Sequence, residues 1–283
     1  MTVTRFAPSP TGHLHLGSVY SALFAKRAAR ADGGRYLVRI EDIDQTRCKP
    51  EFTAQMLADL EWLGLTSDEK PERRQSEHLD EYRAALERLD GMGLVYPCFC
   101  TRADIQREIQ AAGGAPHGPD GPVYPGICRG LDRSETQARI AAGETPAWRL
   151  DIAAALAVTG RLSFHDRALG EVHCRPEAFG DVVLARKDTP TSYHLSVTLD
   201  DALQGITLVT RGEDLLPSTD VHRVLQSLLG LPEPTYWHHG LLFGPDGKRF
   251  AKRDRSVSVP DLRADGRSAV EIIAMAEGLA ALE

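Results

Sequence analysis

The sequence predicts an α/β protein built on a parallel sheet, and three observations carry that expectation. A strand–helix–strand pattern fills roughly the first forty residues, the character of the chain changes from about Tyr96, and strand and helix patterns return beyond residue 178. In order, residues 2–6 read as a short strand and residues 7–11 as a loop with two prolines, after which Leu16, Val19, Tyr20, Leu23 and Phe24 recur at helical spacing. Gly33 and Gly34 end that helix, and a second strand over residues 35–40 completes a βαβ unit. Helices are expected over 50–63, with Pro50 in the first turn, and over 76–89, where Leu79, Tyr82, Leu86 and Leu89 share a face. Past Cys98-Phe99-Cys100 and a short helix capped by Thr101 comes a stretch, residues 113–126, in which nine of fourteen residues are glycine or proline, too long a loop to be idle. Strands are then expected at 147–152, 181–186, 193–199 and 206–210, followed by an amphipathic helix at 218–229. The chain thus divides into the first half of a nucleotide-binding domain (1–95), an inserted α+β segment (96–178), the second half (179–240), and a loop with a short helical tail (241–283).

At 283 residues the chain can bury a full-sized core, and its 42% apolar and 26% charged residues are those of a soluble globular protein. The N-terminus lacks the apolar run of a targeting segment and no stretch is apolar enough to span a membrane, so a cytoplasmic protein is expected, with a monomer the simplest form. Five unevenly spaced cysteines argue against a secreted disulfide framework. A net charge of −7 does not advertise a nucleic-acid binder, although Lys248, Arg249, Lys252, Arg253 and Arg255 cluster against the single acid Asp254.

The chemistry concentrates where the first strand meets the first helix, Arg5-Phe6-Ala7-Pro8-Ser9-Pro10-Thr11-Gly12-His13-Leu14-His15-Leu16-Gly17-Ser18. Free N–H groups at a helix start favour phosphate, His13 and His15 can donate to its oxygens, and Gly17 lets a nucleotide approach the backbone. The string resembles the first signature of class I aminoacyl-tRNA synthetases in the form used by the glutamyl branch, with His15-Leu16-Gly17-Ser18 in place of His-Ile-Gly-His. The likeness continues in order through Arg39-Ile40-Glu41-Asp42-Ile43-Asp44, Ser192 to Asp201, and Val209-Thr210-Arg211-Gly212-Glu213-Asp214-Leu215. The second signature, ideally Lys-Met-Ser-Lys-Ser, corresponds to Arg249-Phe250-Ala251-Lys252-Arg253. The first lysine and the serine are replaced, while Lys252 remains to neutralise charge on a pyrophosphate leaving group.

The resemblance implies a Rossmann-like class I catalytic domain that activates L-glutamate with ATP and Mg²⁺. In it Arg5 and Arg211 would hold the side-chain carboxylate, Glu41 the amine, and Ala7, Ser9 and Tyr193 the rest of the amino-acid pocket. His13, His15, Gly17 and Lys252 would serve ATP, His15 and Lys252 as the catalytic pair. Cys98, Cys100, Tyr124 and Cys128 form a separate constellation, C-x-C then Y-x-x-x-C, suited to one structural Zn²⁺ per chain, with His117 as the rival fourth ligand. Cys48 and Cys174 have no place in that pattern. Ordinary glutamyl-tRNA synthetases continue into a helical anticodon-binding region, whereas about 30 residues follow Lys252 here. That shortness is shared with a subgroup that glutamylates queuosine in the anticodon loop of tRNA(Asp), which the sequence resembles over essentially its whole length. The alternatives are a truncated enzyme charging the 3′ end of tRNA(Glu) and a non-catalytic RNA-binding relative.

Overall fold

The computed structural model describes residues 1–112, 114–241 and 258–280. The βαβ opening is present: β1 (Val3–Phe6), α1 (Leu16–Ala31) and β2 (Arg35–Ile40), with Val3 opposite Arg35 and Phe6 opposite Val38 in parallel register. Gly34 is fixed by space, because a Cβ there would lie 1.9 Å from the carbonyl oxygen of Thr2. Next come α2 (Pro50–Trp62), the two-residue β3 (Arg73–Arg74) beside β2, and α3 (Leu79–Gly91), which presents Tyr82, Ala85, Leu86 and Leu89 to the core.

The middle of the chain holds β4 (Val95–Cys98), α4 (Arg102–Ala111), the hairpin β5 (His117–Gly118) and β6 (Gly121–Pro122), α5 (Arg133–Ala141), β7 (Ala147–Leu150), α6 (Ile152–Thr159), and the hairpin β8 (Ser163–Asp166) and β9 (Gly170–His173). Thr101 caps α4 through a full capping box with Asp104. The final third adds β10 (Val183–Ala185), α7 (Tyr193–Leu203), β11 (Leu208–Gly212), α8 (Ser218–Leu229), β12 (Thr235–His239), α9 (Val259–Ala264) and α10 (Ala269–Ala280).

Two sheets organise these elements. β4, β7 and β10 form an antiparallel sheet in the order β10-β7-β4. In the other, β11 and β12 pair in parallel, β8 joins β12, and the β8–β9 hairpin, from within the stretch read as an insertion, lies at the edge. The Thr207 N–H donates to the Val3 carbonyl and the Val3 N–H to Thr207 Oγ1, which sets β1 beside β11. The strands therefore run β3-β2-β1-β11-β12-β8-β9. One apolar cluster joins α1, α2, α9 and α10 over β2, and another joins α3, α6 and α8 over the smaller sheet.

The strand expected at 193–199 is a helix. Tyr-His-Leu-Ser-Val-Thr-Leu alternates like a strand, but α7 is buried almost all round, so burial masks its 3.6-residue period. Its hydroxyls are satisfied within the helix, Ser196 donating to the Ser192 carbonyl (2.9 Å) and Thr198 to that of His194 (2.7 Å). Among the described residues no helix is long and apolar enough to cross a membrane.

Candidate active site

The chain leaves β1 toward β2 on one side and leaves β11 toward β12 on the other, so the seam between β1 and β11 is a topological switch point, where open α/β sheets bind ligands at their carboxyl edge. A cavity of about 260 Å³ lies there, bringing together Arg5, Ala7, His15, Gly17, Glu41, Tyr193 and Arg211. At Gly212 a Cβ would come within 2.5 Å of Asp214 Oδ1 and 2.8 Å of Leu241 Cδ2, so any larger residue there would push these side-chain ends aside.

Arg5 is buried, and Asp201 takes its Nε–H (2.8 Å) and one Nη2–H (3.3 Å) while the Thr210 carbonyl accepts from Nη1 (3.0 Å). Three of its five N–H groups are thereby committed, leaving one on each Nη for the cavity. Asp201 also accepts from Arg39 Nη1 at 2.7 Å, and Arg39 Nη2 donates to Glu41 Oε1 at 3.1 Å. Burial raises the Glu41 carboxyl above its ordinary range against the pull of Arg39 and Arg5, so a substrate ammonium would restore its charged form. The Glu41 N–H donates to the Pro8 carbonyl at 3.0 Å, tying the proline loop to the end of β2.

Arg211 differs from Arg5: among the described residues no carboxylate pairs with it. Its Nε–H donates to His238 Nε2 (3.2 Å), its Nη1 to Tyr193 Oη (3.3 Å) and His222 Nδ1 (3.2 Å), and its Nη2 to Thr219 Oγ1 (2.6 Å). A guanidinium only donates, so both imidazoles accept from it and are neutral there. Burial and the Arg211 charge hold His222 well below its ordinary value and bring His238 down to about 4. A buried cation ringed by neutral groups lacks a counterion, and a substrate carboxylate supplies one. One Nη2–H and the Tyr193 hydroxyl proton remain to meet it, so a two-pronged grip draws on the tyrosine as well as the arginine.

His15 caps α1: its Nδ1 accepts from the Ser18 N–H at 3.3 Å, which leaves Nε2 as its donor, the tautomer a phosphate oxygen needs. Its backbone bridges to Ser258, and the Val259 N–H donates to the Leu14 carbonyl at 2.8 Å. The remaining sequence assignments fall elsewhere. His13 is exposed, packs edge-on to Phe52 and does not line the cavity. Ser9 lines an adjoining cavity of about 180 Å³ that shares Glu41 and Tyr193 with the first. Lys252, with Arg249, Ala251 and the rest of the basic cluster, lies outside the described residues.

At the second constellation the Cys98, Cys100 and Cys128 sulfurs all lie within 4.8 Å of one another. Tyr124 Oη is 3.4 Å from Cys98 Sγ and 3.5 Å from Cys100 Sγ, and it accepts from the Cys128 N–H at 2.9 Å. Sulfurs bound at about 2.3 Å to one tetrahedral ion stand slightly under 4 Å apart, so the set fits a single metal ion. His117 is exposed on β5 and is not part of the cluster. Asp181 fastens this region to the smaller sheet, accepting from Arg129 and Tyr96 and from the Ile152 N–H. Cys48 and Cys174 stand apart from it.

Sequence reasoning missed Asp201, Arg39, His222 and His238, which support the two arginines. The adjacent carboxylates Asp200 and Asp201 inside an apolar run were the available signal, since buried acids need cationic partners.

The fold and cavity define a class I aminoacyl-tRNA synthetase catalytic domain. Residues 1–277 match the family of class I tRNA synthetases (E and Q), catalytic domain. The chain is 53% identical to the glutamyl-Q tRNA(Asp) synthetase of Rhodobacter capsulatus over 95% of this chain and 98% of that one, and 44% identical to the enzyme so named in Symbiobacterium thermophilum over 96% and 84%. It also resembles a glutamate tRNA ligase from Elizabethkingia meningosepticum solved with its amino acid, at a TM-score of 0.76 and 29% identity, covering 94% of this chain and about half (53%) of the ligase. The chain belongs to the glutamyl-Q tRNA(Asp) synthetases within that class.

Proposed function

We propose that the chain activates L-glutamate with ATP and transfers it to queuosine in the anticodon loop of tRNA(Asp), leaving the tRNA 3′ end uncharged. The observation that carries the amino-acid half is Arg211, a buried cation with only neutral partners among the described residues, in a cavity that also holds Glu41. A ligand with a carboxylate at one end and an ammonium at the other completes both. Arg5 and Tyr193 assist Arg211, and Ala7 and Ser9 shape the amine end. The acceptor half rests on the names of the relatives.

In the first step the α-carboxylate of glutamate attacks the α-phosphate of ATP, forming glutamyl-adenylate and releasing pyrophosphate. His15 and Lys252 offset phosphate charge, with Gly17 admitting the nucleotide, and Mg²⁺ bound with ATP would neutralise more of it. In the second step a hydroxyl of the queuosine cyclopentene diol attacks the activated carbonyl, forming an ester and releasing AMP. Positioning suffices, with no protein nucleophile. Cys98, Cys100, Tyr124 and Cys128 hold one structural Zn²⁺, which would pin both ends of the glycine- and proline-rich stretch.

Two assays test this reading. Glutamate-dependent exchange of pyrophosphate into ATP without RNA is expected, and its absence would favour a binding role. Labelled glutamate should pass to queuosine-containing tRNA(Asp), survive periodate oxidation confined to the 3′ ribose, and fail to reach queuosine-free tRNA(Asp). Equal labelling of queuosine-free tRNA, or labelling of tRNA(Glu) at its 3′ end, would replace it with ordinary aminoacylation.

A further inference from the structure

Beyond Arg211 the hydrogen bonds continue out of the cavity. His222 Nδ1 accepts from Arg211, so the one proton of this neutral ring sits on Nε2, which lies 3.2 Å from His194 Nδ1. His194 Nδ1 therefore accepts, and its own proton falls on Nε2, 3.5 Å from Asp120 Oδ2. The direction of donation is thus set from Arg211 through His222 to His194, whose Nε2–H faces the Asp120 carboxylate.

The links belong to different parts of the molecule. Arg211 is on β11, His222 on α8, His194 in the first turn of α7, and Asp120 in the turn of the β5–β6 hairpin. Asp120 lies four residues before Tyr124, in the segment carrying the metal-ligand set. The two histidines are buried, whereas the Asp120 side chain is about two-thirds exposed (66%). Nothing in the chemistry of the two proposed steps requires this connection.

We propose that His222, His194 and Asp120 form a positioning relay that orients Arg211 for the substrate carboxylate, and that the inserted segment tunes glutamate affinity through it. The inference rests on the assignment of Arg211 to the glutamate side chain. His222 sets the guanidinium plane by accepting at one fixed point. His194 and Asp120 act through His222, by holding its proton on Nε2 so that Nδ1 stays an acceptor. A ring rotated or carrying its proton on Nδ1 would confront Arg211 with a donor.

The test is a double-mutant cycle in pyrophosphate exchange with the full chain, reading KM for glutamate against KM for ATP and kcat. Asp120→Ala, at an exposed turn, should fold normally and raise KM for glutamate a few-fold, with KM for ATP unmoved. His222→Leu should raise it on the order of tenfold or more, the scale of a lost hydrogen bond to a charged group. His222→Asn, whose amide oxygen can take the place of Nδ1, should recover part of that loss. Because asparagine severs the link to His194, Asp120→Ala should have no further effect in the His222→Asn background. An unchanged KM in Asp120→Ala, or an equal effect of it in both backgrounds, overturns the relay. Arg211→Ala, run alongside, separates the two failures: if it also leaves KM for glutamate unchanged, the assignment of Arg211 falls, and if it raises KM while the relay variants do not, only the relay falls.

Discussion

Replacing Asp201 by asparagine probes the support beneath the cavity proposed for glutamate. Its buried carboxylate accepts from Arg5 Nε at 2.8 Å, Arg5 Nη2 at 3.3 Å and Arg39 Nη1 at 2.7 Å, so one negative charge serves two buried guanidinia. Those attractions outweigh the burial that opposes ionisation and hold the Asp201 carboxyl below its ordinary value. An amide keeps one acceptor oxygen but turns an NH₂ toward a cation, leaving a positive charge unbalanced in the interior. Breaking a buried pair in this way costs on the order of 3–5 kcal/mol. At a few degrees per kcal/mol for a chain of this size, the melting temperature of Asp201→Asn should fall by roughly 6–20 °C. Thermal melts at neutral pH give the shift, and pyrophosphate exchange should show a raised KM for glutamate, because Arg5 loses the partner that aims it. A fall under about 2 °C with KM unchanged would refute the view that Asp201 is the counterion of both arginines. The sign with pH follows from the depressed pKa: the contribution of Asp201 is fully present above the unfolded carboxylate value and is lost as pH falls through the lower folded one, so the two proteins should converge in stability in acid.

Three further outcomes are expected. Arg211→Lys should lose roughly 2–4 kcal/mol of transition-state stabilisation in glutamate-dependent exchange, since an ammonium cannot reproduce the fork that meets Thr219, His222 and His238, and wild-type kcat/KM would overturn that role. Freshly purified protein should carry one zinc per chain, and Cys100→Ser should lower both metal content and stability while adenylate formation persists in part; a metal-free wild type that gains none under reducing conditions would sink the zinc assignment. His238, held near 4 against an ordinary value of about 6.5, binds its proton more readily unfolded than folded, so stability should decline as pH falls from about 6.5 to 4, by at most roughly 3 kcal/mol. His238→Gln should flatten that slope, and an unaltered slope would assign the acid sensitivity to another group.

What the sequence disclosed was mostly local. The second strand and the amphipathic helix lie where the pattern put them, because Gly33, Gly34 and Gly230 punctuate the chain beside apolar residues of clear period. Tyr193 to Leu199 misled because a helix buried on nearly all sides carries no polar stripe. The strands that escaped notice include Val95–Cys98, which contains a proline, the hairpin pair Ser163–Asp166 and Gly170–His173, and Thr235–His239, which contains two histidines. At the site, the contiguous motifs named Arg5, Ala7, Glu41, Tyr193 and Arg211 for glutamate, and these five line one cavity. Their supports were not legible, since a partner such as Asp201 is 196 positions from Arg5 and nothing along the chain announces the meeting.

The seam between β1 and β11 has a consequence for how the pocket comes into being. Its walls run from Arg5 to His239, so the cavity exists only after the strands between have found their places. Once the sheet has closed, glutamate at a hundredfold its dissociation constant adds about 2.7 kcal/mol to the stability of the folded chain. The amino acid thereby acts as a late clasp on an already finished sheet.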